Sequence, residues 1–196
     1  MASATWLPAS TRLAERSYSA AQDRVLTAAL ELFAEYGMAE TSLQMIADRM
    51  GVTKAAVYHQ FKTKEAIVTA TADRELVTLE AAVDQAEVAD NRDQARRALL
   101  RQLIAFAVDD RALVRAWQGD PAMMRVLANH KPFSALTTRM YSLLVEQESG
   151  IDWRIPAAML ASVITAVGQP GLAGFEADLL REQVYRYACR LLNISD

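Results

Sequence analysis

Three lysines and a histidine, Lys54, His59, Lys62 and Lys64, fall within eleven consecutive positions that hold no acid before Glu65, and Tyr58 stands among them. Ammonium, imidazole and phenol groups are the donors that meet phosphate oxygens. Lys54 can also reach a base edge, and Ala55 is small enough to touch a thymine methyl. Lys62 and Lys64 flank Thr63, a helix-capping residue type, so cations adjoin a helix N-terminus whose free N–H groups attract anions. Other chemistry is thin. Two histidines, His59 and His130, and one cysteine, Cys189, cannot build a zinc site. Gly168, Gly171 and Gly174 lack phosphate-loop spacing, and Asp109-Asp110 is expected to face solvent at a helix end. No enzyme, cofactor or metal is expected.

The elements that must position these groups are helices. Val25, Ala29, Leu32, Phe33 and Tyr36 recur at three-and-four spacing and predict one helix, stopped by Gly37. Leu43, Ile46, Ala47 and Met50 predict a second, with Thr41 or Ser42 accepting from its first-turn N–H groups and Gly51 ending it in the left-handed conformation. Thr53 is placed to cap a third helix running to about His59. Helices joined by so tight a glycine turn cross steeply. This outline is a helix-turn-helix, whose second member enters the DNA major groove. Val52, Ala56 or Val57, and Phe61 pack inward, leaving Lys54, Ala55, Tyr58 and His59 outward.

The run Gly51-Val52-Thr53-Lys54-Ala55-Ala56-Val57-Tyr58-His59-Gln60-Phe61-Lys62-Thr63-Lys64-Glu65, preceded by Thr41-Ser42-Leu43-Gln44-Met45-Ile46-Ala47, resembles the signature of TetR-family transcriptional regulators. The match covers about a quarter of the chain and is specific in combining turn, caps, aromatic and lysine at set offsets. The resemblance implies phosphate contacts from Tyr58, His59 and Lys64 and a backbone contact from Thr41 or Ser42. It places Gln44, Thr53, Lys54 and Ala55 toward bases, and implies a homodimer on a near-palindromic operator. Functional residues elsewhere cannot be carried over.

The 196-residue chain has net charge −3 and 52% hydrophobic residues. Residues 1–62 balance six basic against six acidic groups, so a local positive face on an acidic protein is expected, with binding that weakens as salt rises. The expected organisation is all-α: a flexible arm over 1–20, a three-helix DNA-binding head over 21–66 and a larger helical bundle over 67–196 for effector binding and dimerisation. Arg12 and Arg16 could carry the arm into a minor groove; a plain tail is the simpler reading. No Gly or Pro falls between Gly51 and Gly119, and one helix from Thr63 to about Val88 would span about 39 Å, a lever between head and body. Residues 1–20 lack a hydrophobic run and the apolar stretch Ile155–Val167 is too short for a bilayer, so a cytoplasmic, non-membrane protein is expected.

Two apolar C-terminal helices follow, about Ile155–Val167 and Glu176–Leu192. They suggest a four-helix interface between two copies, with Ala158, Ala161, Ile164, Leu180, Val184, Tyr187 and Leu191 as candidates; ordinary core is the alternative. Phe106, Trp117, Met123, Met124, Phe133, Tyr141 and Trp153 are candidates for a pocket for an apolar effector, with His130, Asn129 and Gln118 as polar contacts. Each is equally readable as core, and His130 as a solvent-facing residue at a helix end. The expected function is a repressor released from DNA by a small molecule. A constitutive or activating regulator, and a ligand-binding protein with a degenerate head, are the alternatives.

Overall fold

The computed structural model describes Leu13, residues 16–145, Asp152 and residues 154–194. Arg12 and Trp153 lie outside the described residues, as does the Gln118 side chain. Described residues form helices and no strand: α1 (Ala20–Glu40), α2 (Leu43–Met50), α3 (Lys54–Gln60), α4 (Lys64–Glu75), α5 (Val77–Glu87), α6 (Arg92–Asp109), α7 (Arg111–Gly119), α8 (Pro121–Asn129), α9 (Lys131–Leu144), α10 (Arg154–Val167) and α11 (Ala177–Leu191), with a 3₁₀ turn at Pro170–Leu172. They group into two compact units, residues 1–80 with 122–136, and residues 81–121 with 137–196. The first unit runs on through α4 and takes in a later excursion of the chain.

In the first unit α1 is the platform, packing against α2, α3 and α4. Its stripe Val25, Leu26, Ala29, Leu32 and Phe33 is buried with Ile46 and Ala47 of α2, Val57 and Phe61, and Ile67 and Val68 of α4. Burial of so many large apolar groups is the main favourable term in folding this unit. Each helix start is closed by the hydroxyl the sequence offers. Ser19 and Gln22 form a reciprocal capping box, and Ser42, Thr53 and Thr63 accept from the backbone N–H groups of Met45, Ala56 and Ala66.

Three sequence expectations are corrected here. Tyr36, placed on the apolar stripe, is 48% exposed; it stands just before the break at Gly37, beyond which Met38 is buried instead. The lever from Thr63 to Val88 is not one helix: α4 and α5 divide at Leu76 (φ −89°, ψ 0°), with no Gly or Pro to announce it. Leu76 N–H still donates to the Ala72 carbonyl and Glu80 N–H to that of Leu76, so the bend costs little hydrogen bonding. His130 does not face solvent; it is mostly buried and its Nε2 lies 2.6 Å from Asp73 Oδ1.

In the second unit α6 packs along α11, and α10 against α6, α7 and α11. Leu99, Leu100, Leu103, Ile104, Leu113, Val114, Leu160, Ile164, Leu180, Val184 and Ala188 are buried there. Buried Arg96 donates to the last carbonyls of two helices, Leu144 O at 2.9 Å and Leu192 O at 3.1 Å, where a cation meets the negative helix end. Arg111 likewise donates to Leu172 O and Phe175 O at 3.0 and 3.1 Å and gathers the turn after α10. Gly168 permits the close approach of α10 to α7, since a Cβ there would stand 3.1 Å from Arg111 O and 3.2 Å from Arg115 N. Neither backbone atom can give way easily. Gly168→Ala is therefore expected to lower stability by about 1–2 kcal/mol, as overpacking does, measured by urea unfolding; a midpoint equal to or above wild type would contradict it.

Candidate nucleic-acid interface

Gly51 adopts φ 66°, ψ 34°, and its N–H donates to the Ala47 and Asp48 carbonyls, closing α2 and throwing the chain into Thr53 and α3. Any other L-residue resists that left-handed conformation. Of the seven residues of α3 only Val57 is buried, so Lys54, Ala55, Ala56, Tyr58 and His59 all stand exposed. The inward choice between Ala56 and Val57 thus falls on Val57. Lys62 Nζ lies 4.3 Å from the centroid of the Tyr58 ring, an attraction that holds a cation beside the phenol at the end of the helix. On α2, exposed Gln44 donates to Asp48 at 2.7 Å, and Ser42, exposed at the cap, keeps its hydroxyl proton for an outside acceptor.

Two acids of the head are paired on α1. Arg49 binds Glu31 and Glu35 of α1 at 3.0 and 2.9 Å. Glu35 is held below the usual carboxylate range by a hydrogen bond from Tyr36 and then by Arg49. This pairing localises the balance that the sequence shows only as a sum. The face made of Lys54, His59 and Lys62 is left positive.

One expected DNA contact, Thr41, is corrected, and another, Lys64, has a structural role as well. Thr41 is only 1% exposed, and its hydroxyl donates to Gly37 O at 2.7 Å and Leu32 O at 3.3 Å. It closes the end of α1, where Gly37 (φ 80°) breaks the helical run and leaves carbonyls unsatisfied. Lys64, half-buried, donates to Met38 O at 2.7 Å and Ala39 O at 2.9 Å. Its ammonium ties the start of α4 to the end of α1, with one N–H left over. Arg16 is likewise drawn inward, 2.5 Å from Asp73, instead of reaching for a groove.

The apolar pocket candidates divide between the units. Met123 is buried and Met124 and Phe133 half-buried in the first. In the second, buried Trp117 meets half-buried Phe106 with ring centroids 6.4 Å apart, and burial pushes the Tyr141 phenol up. A cleft of about 430 Å³ that the sequence did not signal lies between α5 and α6, lined by Ala82, Gln85, Ala86, Gln94, Ala98 and Gln102 among others. Of the interface candidates, Ile164, Leu180 and Val184 are core of the second unit, a correction, because α10 and α11 turn those positions toward α6 and α7. Ala158 and Tyr187 are exposed, and Ala161 and Leu191 half-buried. Ile155, Met159 and Leu179, which were not singled out, are 60, 50 and 47% exposed. Cys189 is buried, as expected of an inert thiol. Among described residues no helix is long and apolar enough to cross a membrane.

A capped two-helix turn with an outward basic and aromatic face on its second helix defines a helix-turn-helix DNA-binding domain. Residues 25–71 match the family model for bacterial regulatory proteins of the tetR family, which with the relatives that follow supports a tetR-family transcriptional regulator. It is 28% identical over 188 residues to the HTH-type transcriptional regulator BetI of Ectopseudomonas mendocina, covering 88% of this chain and 93% of the relative. Its fold is similar to a tetR-family regulatory protein of Rhodococcus RHA1 (TM-score 0.68, 21% identity, 91% of this chain and 100% of that one). It is also similar to the ketosteroid transcriptional regulator of Mycobacterium tuberculosis (TM-score 0.66, 20% identity, 90% and 95%).

The structural role of Lys64 separates from a DNA role by stability. Lys64→Met is expected to lower unfolding free energy by about 1 kcal/mol, since the Met38 and Ala39 carbonyls lose a charged donor. Calorimetry of the protein without DNA checks this, and an unchanged melting temperature would assign the lysine to DNA alone.

Proposed function

We propose that this regulator is a homodimeric repressor that leaves a near-palindromic operator when a small apolar molecule binds its C-terminal helices. The observation that carries the DNA half is the exposed face of α3, with Lys54, Ala55, Tyr58 and His59 unburied around the single anchor Val57. Gln44, Ser42, Thr53 and Lys62 extend it. Lys54 at the start of α3 reads a base or grips a phosphate, while Tyr58, His59 and Lys62 hold the backbone. The protein works in the cytoplasm, where its DNA is, and acts by binding alone.

The exposed apolar residues of α10 and α11 support dimerisation. Ile155, Met159, Leu179 and Tyr187 are large apolar side chains exposed on two neighbouring helices, the kind of surface that a partner covers. A twofold axis there gives two recognition faces, which fit DNA when they stand about 34 Å or a multiple of it apart. Ligand binding favours a state with another separation and so weakens the complex. The aromatic residues Phe106, Trp117 and Tyr141 of the second unit suit an apolar effector, as does the likeness to a ketosteroid regulator.

Selection of bound sequences from random duplexes is expected to yield an inverted repeat. On that site Lys54→Ala lowers affinity and reduces the salt slope by about 1 if the lysine meets a phosphate, or relaxes one base position if it reads an edge. Failure to enrich any sequence at low salt would defeat the regulator reading. Met159→Glu combined with Tyr187→Glu is expected to yield a monomer in sedimentation and to weaken operator binding at least tenfold, with the helical spectrum retained. A dimer that survives both charges would remove α10 and α11 as the interface.

A further inference from the structure

The first unit buries one carboxylate that serves three parts of the chain. Asp73 on α4 is 1% exposed. Its Oδ2 accepts from Arg16 at 2.5 Å and from the Tyr18 hydroxyl at 3.3 Å, both in the segment before α1. Its Oδ1 lies 2.6 Å from Nε2 of His130, at the junction of α8 and α9. Seven residues on, buried Glu80 accepts from the Leu13 backbone N–H at 2.8 Å, and the Leu13 side chain is itself 1% exposed. The chain leading into α1 is thus strapped to α4 and α5 at two buried acids. Tyr18 remains a donor because burial, then the Asp73 charge, pushes its phenol up to about 12.

We infer that His130 is a positioning residue for the DNA-binding head, acting through Asp73 to seat the segment that leads into α1; this rests on the regulator reading. A carboxylate so far from water needs its donors to offset the cost of its burial. Loss of the His130 N–H leaves Asp73 Oδ1 without that donor and loosens the seat of Arg16 and Tyr18. The ring donates from Nε2 whether neutral or charged, so the contact calls for a donor at that place, which an amide also supplies. What the seat controls is the start of α1, where Ser19 opens the helix, and α1 is the platform on which α2 and α3 pack. His130 lies in the excursion 122–136, whose chain continues at both ends into the second unit.

The test uses the full chain and two readouts, hydrogen exchange of the amides at 20–26 without DNA and affinity for the selected operator. His130→Leu is expected to speed that exchange and weaken the operator complex by at least about threefold each, the scale of coupling within one network. His130→Gln restores both, and Arg16→Met adds little to His130→Leu because both act on the same carboxylate. Tyr18→Phe, which takes one donor from Asp73 and keeps the ring, gives the milder form of the result if His130→Leu does not fold. Unchanged exchange in His130→Leu and Tyr18→Phe overturns the inference. So do independent effects of Arg16 and His130, a Gln variant no better than Leu, and faster exchange with undiminished operator affinity. If the wild-type chain selects no DNA sequence, the regulator reading fails, while the exchange measurements still decide the seat.

Discussion

A helix of seven residues is too short to persist in water, since nucleating its first turn costs more than so few hydrogen bonds return. The recognition face of this protein rides on such a helix, α3, and every other feature of the head serves to hold it. Val57 and Phe61 sink into the apolar stripe of α1, and Thr53 satisfies the Ala56 N–H. Gly51 sets the entry angle with a backbone conformation open to few other residues. Two apolar anchors, one hydroxyl and one glycine thus leave the outward side chains of α3 free for DNA.

The same economy explains how an acidic protein presents a positive face. Glu31 and Glu35 are occupied by Arg49, and Lys64 by carbonyls at the end of α1, so the groups left outward on α3 and just after it are Lys54, His59 and Lys62. Net charge describes steering at a distance, whereas docking depends on which charges remain unspent at the surface. Glycine plays two unlike parts. Gly51 supplies a left-handed turn, and Gly168 supplies space between α7 and α10.

Much of the head was legible because its signals are local. Hydroxyls at Ser42, Thr53 and Thr63, the stop at Gly37 and the turn at Gly51 act within four residues of themselves, and all five do in the structure what their types foretell. Asn91, Asp120-Pro121, Pro132 and Asp152 stand at or beside the starts of α6, α8, α9 and α10, residue types whose effect is equally local. Thr41 misled because a hydroxyl suits a phosphate and a helix-end carbonyl equally well, and which one it meets depends on where α1 ends in space.

The amino-acid sequence by itself determined that this protein is helical, where most of its helices begin and end, and that its second and third helices form a DNA-reading turn, because caps, glycines and three-and-four spacing are short-range physics. Tertiary structure alone decided which polar groups are spent inside. Asp73 reads as an ordinary polar position on α4 until Arg16, Tyr18 and His130, fifty-five or more residues away, converge on it. The bend at Leu76, the turning of Ile164, Leu180 and Val184 into the core, and the exposure of Ile155 and Met159 follow the same rule. An apolar or charged side chain carries no mark of its partner. Only the packing of distant segments supplies one.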